Sequence, residues 1–345
     1  MISRRVLVAL AASVLAVGCA GPQQQAGAPL TRIAFGSCIN TNTHPMLDRV
    51  LRTDFDLFIL LGDNIYADTT NADVMQRKYD ALKGSLFFRG LREKAPLLAT
   101  WDDHDYGAND AGAEYPMKRA SQRLFLDFMD EPEDSPRRRR EGVYDAPVFG
   151  PPGQRVQVIL LDVRSFRSAL STGVNNVVPS GGKYVPNPDP NATMLGDAQW
   201  AWLEEQLKVP AEVRIIGTGI QFISEFSGGE AWANLPREKQ RMLDLLAKAK
   251  ANGVIFISGD RHWAELSRLN RPAHYPLYDL TSSALTQKHP RGTPTPNRYR
   301  ADPTTYHDAN FGLIKIDWKA AGPEVTLQLL DVDGRVRINR KIEGE

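Results

Sequence analysis

The fold is decided by the stretch Gly253-Val254-Ile255-Phe256-Ile257-Ser258-Gly259-Asp260-Arg261-His262. Its apolar run, residues 254–257, is flanked by glycines and is typical of a strand buried in a parallel sheet. In open α/β sheets, ligands bind just beyond the carboxyl ends of such strands. Asp260 and His262 occupy that position, so they are the first candidate residues of a functional site.

The same arrangement occurs three more times in the chain. The apolar runs 33–35, 57–61 and 97–101 lead into Gly36-Ser37-Cys38, Gly62-Asp63-Asn64-Ile65-Tyr66 and Asp102-Asp103-His104-Asp105. Because the carboxyl ends of parallel strands meet at one edge of a sheet, we expect these Cys, Asp, Tyr and His side chains to converge.

Between and after these runs, the patterns predict a mixture of helices and strands. Helical spacing of apolar residues predicts helices over residues 45–51, 74–83, 118–129, 198–208 (with Asp197 as its N-cap) and 235–252 (stopped by Gly253). Strands are predicted over residues 156–161, 213–216, 278–282, 311–317, 325–331 and 336–342, the last two joined by a type I′ turn at Asp333-Gly334. The chain is therefore predicted to form an α/β sandwich with mixed sheets.

Two stretches are predicted to be loops. Residues 171–192 are dense in Gly, Pro and Asn and form a long predicted loop, of the kind that often lines an active site. Residues 131–141 contain four consecutive arginines, Arg137 to Arg140, for which we expect a solvated loop. A contact with envelope phosphates is the alternative for these arginines.

The N-terminus carries a targeting signal, which is excluded from the fold. Arg4 and Arg5 precede an apolar stretch over residues 6–18, which is short for a membrane span. Ala16-Val17-Gly18-Cys19 resembles a bacterial lipobox, and Ser3-Arg4-Arg5-Val6-Leu7 resembles a twin-arginine signal. The prediction is a lipoprotein signal peptide over residues 1–18, lipid on Cys19, a flexible tether over residues 19–30 and one domain over residues 31–345, anchored in the bacterial cell envelope. An ordinary secretory signal with a chance cysteine is the alternative.

Composition and cysteine usage narrow the possible functions. The chain has 42% hydrophobic and 24% charged residues and a formal net charge of +1, so no global field attracts nucleic acid or an anionic membrane. Specific nucleic-acid binding is not expected, except of a substrate. If Cys19 carries lipid, Cys38 has no partner for a disulfide. Cys38 is then either an inert buried residue or a metal ligand.

The chemistry of the converging residues favours a pair of metal ions. Phosphate-ester hydrolysis near neutral pH needs a strong nucleophile beside an anionic substrate, and two cations provide hydroxide and screen charge. Asp63 is the predicted bridging carboxylate, and a Tyr66 phenolate favours Fe(III). A neutral nitrogen comes from His262. The oxygens predicted to suit Ca²⁺ or another hard divalent ion belong to Asp103, Asn109 and Asp260.

Three further residues are predicted to act on the substrate. The Arg164 guanidinium can donate two parallel hydrogen bonds to phosphate oxygens. His104 can protonate the leaving oxygen, provided that it does not bind a metal. Gln221 either positions the nucleophile or the phosphate, or caps backbone groups.

Five motifs, in this order, resemble the alkaline phosphatase D (PhoD-like) family of calcineurin-like metallophosphatases. They are Phe35-Gly36-Ser37-Cys38, the segment 62–68, the segment 101–110, Leu161-Asp162-Val163-Arg164 and Gly259-Asp260-Arg261-His262. The resemblance covers nearly all of residues 31–345. It implies a four-layer αββα sandwich, Fe(III) and Ca²⁺ as cofactors, with Zn²⁺ or Mn²⁺ as alternatives, and hydrolysis of phosphomonoesters or phosphodiesters outside the cytoplasm.

The resemblance also implies roles for single residues. Cys38 and Tyr66 match the residues that hold iron in part, Asp63 the bridging aspartate, and Asp260 with His262 the last ligand pair. Asp103 with His104 resembles the pair written Asn-His in other metallophosphatases. Whether Asp102 or Asp103 is the ligand stays open. Because successive strand residues point in opposite directions, we expect only one of them to reach the metal, and Asp103 is the favoured one.

Two departures from the family and two competing functions complete the prediction. Longer members carry a β-sandwich domain before the catalytic domain, and the family commonly ends in a helix near the active site, where this chain is expected to end in a hairpin. We therefore expect a more open cleft that admits larger substrates, such as envelope polymers, phospholipid headgroups or extracellular nucleic acid. The competing functions are an iron-dependent oxidoreductase and a lipid-anchored binding protein without catalysis.

Overall fold

The computed structural model describes residues 24–25, 27–175, 182–225, 228–272, 274–289, 296–303 and 305–342. The predicted signal peptide and Cys19 lie outside the described residues. Among the helices in these ranges, none combines the length and apolar character that a membrane crossing requires.

The strands of the described residues form two large sheets and one hairpin. They are β1 (Gln24–Gln25), β2 (Arg32–Gly36), β3 (Leu57–Leu61), β4 (Leu97–Thr100), β5 (Val148–Phe149), β6 (Val156–Leu160), β7 (Ser171–Asn175), β8 (Gly182–Val185), β9 (Val213–Thr218), β10 (Val254–Ser258), β11 (Ala264–Arg271), β12 (His274–Ser282), β13 (Asn310–Lys319), β14 (Gly322–Asp331) and β15 (Val336–Lys341). The first sheet has the order β15-β14-β13-β2-β3-β4, and the second has the order β1-β5-β6-β9-β10-β12-β11. The hairpin pairs β7 with β8.

The helices lie between the strands in the chain. They are α1 (Pro45–Arg52), α2 (Ala72–Lys83), α3 (Leu86–Lys94), α4 (Asp103–Tyr106), α5 (Lys118–Phe128), α6 (Pro136–Arg139), α7 (Gly196–Gln206) and α8 (Pro236–Lys248), with one 3₁₀ turn at Trp232–Asn234. Helix α2 illustrates how the local sequence favours a helix. The Asn71 side chain accepts hydrogen bonds from the first backbone amides, and Met75, Tyr79 and Leu82 form one buried stripe.

Two sheets and two helical layers build the predicted four-layer sandwich. The inner layer between the sheets is apolar on both faces, with Ile33, Leu57 and Ile59 from the first sheet and Val158, Ile215 and Ile257 from the second. The outer face of the first sheet packs on α1, α2, α3 and α5. The outer face of the second sheet packs on α7 and α8. This architecture confirms the predicted α/β fold class.

Parallel pairing brings the predicted site residues to one edge of the molecule. In the first sheet, β2, β3 and β4 run parallel, and in the second sheet β6, β9, β10 and β12 run parallel. The carboxyl ends of β2, β3, β4 and β10 therefore release the chain into the loops that hold residues 37–38, 62–66, 102–105 and 259–262. We call this the site edge.

Two predicted helix boundaries are wrong. Helix α7 starts at Gly196, so Asp197 lies in its first turn instead of capping it. Helix α8 ends at Lys248, and the left-handed residue after its cap is Lys250, with φ of 48°. Gly253 adopts φ of 60° just before β10 and belongs to the strand entry. The 3.6-residue pattern continued through these turns because apolar residues in the loops are also buried.

The predicted loop over residues 171–192 is also wrong in part, because it contains the hairpin β7–β8. Strand β11 and helix α3 were not predicted at all.

The turn before β15 is not type I′, since Gly334 has φ of 80° but Asp333 is not left-handed. Instead, Asp331 accepts hydrogen bonds from the amides of Asp333 and Arg335 through its side chain, and the pairing register shifts by one residue.

The arginine run at residues 137–140 is not a solvated loop. Arg137 is buried, and its guanidinium donates to the Val143 carbonyl and pairs with Glu131 at 2.8 Å. Arg138 pairs with Asp127 at 2.7 Å, and Arg140 lies over the Tyr144 ring. Only Arg139 of the four is exposed. The helical turn Pro136–Arg139 directs Arg139 to the solvent, while the other three arginines contact the domain.

Glycine 62 is predicted to be required at the end of β3. Its φ is 99°, and an added Cβ would lie against the Cβ of Asp102 and 2.5 Å from the Asp102 backbone nitrogen. We expect Gly62→Ala to lower the free energy of unfolding by more than about 2 kcal/mol, measured by denaturant melting.

Gly153 provides the matched control for this substitution. It has φ of 87°, but no atom lies within 4 Å of an added Cβ. Gly153→Ala then costs only the backbone strain, about 1 kcal/mol. Equal losses in the free energy of unfolding of the two variants would show that steric crowding at Asp102 adds nothing to the cost of Gly62→Ala.

Candidate metal centre

Four predicted ligands from three loops meet at the site edge. The Asp63 carboxylate accepts a hydrogen bond from the Cys38 thiol at 3.4 Å and from the Tyr66 hydroxyl at 3.3 Å. The Tyr66 hydroxyl lies 3.1 Å from Nε2 of His262. Ligand atoms of Cys38, Asp63 and His262 lie within 4.8 Å of one another, a spacing at which one cation can contact all three.

The backbone at these positions is strained. Cys38, Asp63, Asp260 and His262 have φ of 65°, 49°, 70° and 58°. Left-handed conformations are rare for residues with a Cβ, and they cluster at functional sites where the surrounding structure enforces them. Here the left-handed residues turn the chain sharply after each strand, so that their side chains point back over the site edge.

A second group of ligand atoms is centred on Asp103. Asp63, Asp103 and His104 place ligand atoms within 4.8 Å of one another, as do Asp102, Asp103 and Asp260. The Asp103 carboxylate also accepts hydrogen bonds from the backbone amides of His104, at 3.0 Å, and Asp110, at 2.8 Å. Both Asp102 and Asp103 face the cluster, because the chain leaves β4 and turns into helix α4 between them. The expectation that only one of the two binds a metal stays a prediction.

The carboxylates carry more negative charge than the neighbouring side chains neutralise. Asp63, Asp102 and Asp103 are buried, and burial together with the neighbouring carboxylates raises the pKa of Asp63 well above its ordinary value. Burial likewise raises the pKa of Asp260 to about 7. One oxygen of Asp63 and one of Asp102 are buried without a hydrogen-bond partner. Unpaired buried oxygens beside a thiol, a phenol and an imidazole fit a site for metal cations.

His104 lies at the rim of the cluster beside Tyr66. Its Nδ1 lies 2.8 Å from the Asp68 carboxylate, and its ring centroid lies 4.2 Å from that of Tyr66. Burial acts to lower the pKa of His104, but the Asp68 hydrogen bond and the negative charges of Asp103 and Asp68 outweigh it, so the pKa is raised. The protonated form that a general acid needs is thereby favoured.

Arg164 is held deep inside the domain. Its guanidinium is fully buried, with Nε 2.6 Å from Asp102 and Nη2 2.6 Å from Glu230. Arg167 reaches the other oxygen of Glu230 at 3.0 Å. In this arrangement, Nε of Arg164 donates to Asp102 and Nη1 to the Ala111 carbonyl at 3.4 Å, while Nη2 forms ion pairs with Asp102 and Glu230. Its contact with a phosphate therefore stays a prediction that these ion pairs do not support.

Two other predicted residues lie away from the ligand atoms. Asn109 is exposed, and its neighbour Asp110 is the residue whose ligand atom lies within 4.8 Å of those of Asp103 and Glu230. Gln221 is buried behind the second sheet's site edge, where it donates to Glu265 at 2.6 Å and to Thr281 at 2.9 Å. Gln221 thus makes side-chain contacts instead of capping backbone groups.

Four acidic residues of the site were not predicted. Asp105 accepts hydrogen bonds from the amides of Asp63 and Asn64, both at 3.1 Å, and so fixes the turn after β3. Asp68 orients His104, and Asp110 and Glu230 border Asp103. Asp68, Asp105 and Asp110 lie within segments that resemble the family, so their acidity was a usable signal. Glu230 lies in a glycine-rich loop that no motif marks.

The sandwich and the carboxylate-rich site edge together define a metallophosphatase-type α/β protein. The family model described as PhoD-like phosphatase matches residues 33–325, and the chain therefore belongs to the PhoD-like phosphatase family. This confirms the family predicted from the motifs.

Individual relatives agree with this assignment. Alkaline phosphatase D of Bacillus subtilis (strain 168) is 21% identical over 300 residues, covering 72% of this chain and 48% of that protein. The chain thus spans about half the length of this curated relative. A solved structure of PhoD matches with a TM-score of 0.66 at 17% identity, covering 94% of this chain and 73% of that chain. GAP50, the anchor in the inner membrane complex of Plasmodium, matches with a TM-score of 0.58 at 12% identity, covering 92% and 90%. At these identities, the two structures show the shared fold alone.

Arg164 is predicted to stabilise the fold. Arg164→Met leaves Asp102 without its buried counter-charge and Glu230 with Arg167 alone, so the free energy of unfolding should fall by about 3 kcal/mol or more. The control is Arg155→Met, which breaks the partly exposed pair with Glu212 at 2.9 Å and should cost under about 1 kcal/mol. Thermal melting measures both. An Arg164 variant of unchanged stability but raised KM would instead favour the predicted contact with phosphate.

Proposed function

We propose that this protein hydrolyses phosphate esters with two metal ions held at the site edge. The proposal is supported by membership of the PhoD-like phosphatase family and by the surplus of buried carboxylates beside Cys38, Tyr66 and His262. Phosphate monoesters and diesters are both within the substrate class.

The position of Asp63 is the observation that carries the proposal. Asp63 belongs both to the ligand group with Cys38 and His262 and to the group with Asp103, in which the third member, His104, is assigned below to proton transfer and not to metal binding. One of its oxygens contacts Cys38 and Tyr66, while the other is buried without a partner. A carboxylate shared between two ligand groups is what a bridge between two cations requires.

The donor atoms differ between the two groups, and this difference suggests which cations they prefer. Cys38, Tyr66 and His262 offer a thiol, a phenol and an imidazole, which suit Fe(III) with the thiol and the phenol deprotonated. The second group is richer in carboxylate oxygens, which suit Ca²⁺. When bound, such a pair supplies hydroxide near neutral pH and screens the charge of the phosphate. Zn²⁺ or Mn²⁺ is the alternative filling.

His104 is the proposed general acid for the leaving oxygen. It is partly exposed at the rim, and Asp68 orients its ring through Nδ1, so that Nε2 is left to face the substrate. The same contact keeps the ring protonated to higher pH. Asp68 is a positioning residue in this scheme, since it acts through His104.

The proposed location is the bacterial cell envelope, with the domain exported and anchored by lipid on Cys19. The support is the lipobox-like sequence before Cys19 and the twin-arginine-like Arg4-Arg5. An enzyme at this location encounters phosphate esters outside the cytoplasm. Membrane fractionation of a Cys19→Ser variant is the test, and an unchanged membrane fraction would contradict lipid anchoring.

Asp63→Asn is predicted to remove metal and activity together. We expect iron and calcium to be found by element-resolved analysis of the protein purified without chelator, and to fall sharply in the variant. Hydrolysis of p-nitrophenyl phosphate and of its bis ester should fall by at least about a hundredfold. The exposed Asp73 supplies the control, since Asp73→Asn should leave metal content and activity unchanged.

The outcomes separate the competing functions. If the protein contains zinc or manganese and releases phosphate, the hydrolase function stands but the two cations are not iron and calcium. Bound metal without phosphate release contradicts the hydrolase and favours a binding protein. Oxygen consumption without phosphate release favours the oxidoreductase.

Asp68→Asn is predicted to shift the pH profile. Because Asp68 raises the pKa of His104, its loss lowers that pKa and deprotonates the acid at lower pH. The alkaline limb of the kcat profile should move to lower pH, and kcat at its optimum should fall roughly tenfold, with KM nearly unchanged. A fall in kcat without movement of the alkaline limb would contradict the role of Asp68 in His104 protonation.

A further inference from the structure

A positively charged surface feature lies on one side of the domain, outside the metal centre. It is a groove of about 370 Å³ beside helix α5, and this volume lies within the range of about 300–1,000 Å³ typical of ligand pockets. We call it the arginine groove. Its lining residues are Arg119, Gln122, Arg123, Leu126, Glu133, Arg138, Arg139, Arg140 and Glu141.

Three of the lining arginines have no side-chain hydrogen-bond or ion-pair partner among the described residues. Arg119, Arg123 and Arg139 are exposed, and in the part of the chain that the structure describes they form no hydrogen bond or ion pair through their side chains. Of the two lining carboxylates, Glu141 is taken by Lys118 at 2.6 Å, and only Glu133 is left. The rim of the groove therefore carries a surplus of positive charge.

The floor of the groove is rigid, in contrast to its rim. Arg138 is fixed by Asp127 at 2.7 Å and by the Glu131 carbonyl at 2.6 Å. Arg140 lies 3.9 Å from the Tyr144 ring centre and donates to the Tyr144 carbonyl. A preformed floor reduces the entropy lost when a ligand binds, so the groove is preorganised for an occupant.

The spacing of the free arginines argues for an anion with several phosphates. Arg119 and Arg123 are separated by one turn of α5, where like charges repel each other. An anion between them would remove this repulsion. Guanidinium groups bind phosphate through two parallel hydrogen bonds, and three of them lining one groove suit several phosphates of one chain better than a single phosphate.

The groove approaches the site edge at one end. Helix α5 contacts helix α4, which follows β4 at the site edge. Lys118 at that end donates to the Ser165 carbonyl at 3.4 Å, next to buried Arg164. A polymer lying in the groove would thus run towards the metal centre.

We propose that the arginine groove binds the backbone of a phosphodiester polymer through Arg119, Arg123 and Arg139. Binding in the groove does not depend on catalysis. The further step, that the bound polymer is a substrate whose ester reaches the metal centre, rests on the proposed hydrolase function. Such a subsite would favour polymeric over small phosphate esters.

The test compares two triple variants with equal loss of charge. The groove variant carries Arg119→Gln, Arg123→Gln and Arg139→Gln. The control variant carries Arg77→Gln, Arg89→Gln and Arg237→Gln, three exposed arginines outside the groove. The probe is a fluorescent thymidine oligonucleotide with phosphorothioate linkages, read by anisotropy across a salt series on the full metal-loaded protein.

We expect the groove variant to bind the oligonucleotide at least tenfold more weakly than the control variant. Its plot of log affinity against log salt should be shallower by roughly two, which corresponds to three lost contacts with a single strand. Hydrolysis of p-nitrophenyl phosphate should be unchanged. The melting temperature should not fall, because the three side chains have no partners to lose.

Three results would overturn the inference. Equal weakening in both triple variants would indicate general charge attraction, and unchanged binding in the groove variant would place the polymer elsewhere. Inorganic phosphate that displaces the probe at equal concentration would identify a single-phosphate site. If the wild type binds the probe through the groove but releases no phosphate from any ester, the inference on binding stands and the hydrolase proposal fails.

Discussion

The structure depends on concentrating carboxylates in one buried place. Asp63, Asp102, Asp103, Asp105 and Glu230 are all buried, and Arg164 and Arg167 are the buried guanidinium groups that face them. Like charges at this density oppose folding unless cations or hydrogen bonds compensate them. The backbone amides of Asp63 and Asn64 stabilise Asp105, and Arg164 stabilises Asp102 and Glu230. What is left uncompensated around Asp63 and Asp103 is the part of the site that suits metal ions.

The two-sheet architecture makes this concentration possible. Each sheet contributes parallel strands whose carboxyl ends meet at the site edge, and the apolar layer between the sheets holds those ends in register. Left-handed turns at Cys38, Asp63 and Asp260 then direct the side chains over that edge. The energetic cost of strain and buried charge is offset by the apolar packing of three separate core layers, which lies elsewhere in the molecule.

The sequence predicts those parts of the fold and the site whose signals are local in the chain. An apolar run followed by glycine and a polar ligand is a local pattern, so the strands that end before Cys38, Asp63 and Asp260 were predicted correctly. Long-range pairing leaves no such pattern. Glu230 reaches the site from a distant loop, and the burial of Arg164 depends on that same residue. The sequence therefore predicts a phosphate contact for Arg164 and gives no signal for Glu230.

The neighbours Asp102 and Asp103 show how the structure divides roles that the sequence left open. One oxygen of Asp102 is held by the Arg164 guanidinium, which compensates much of its charge. Asp103 lies farther from Arg164, at 3.9 Å, and accepts hydrogen bonds from the backbone amides of His104 and Asp110. It is also the residue shared by three of the ligand groups. Asp103 therefore keeps more of its negative charge available to a cation than Asp102, which links the ligand cluster to Arg164.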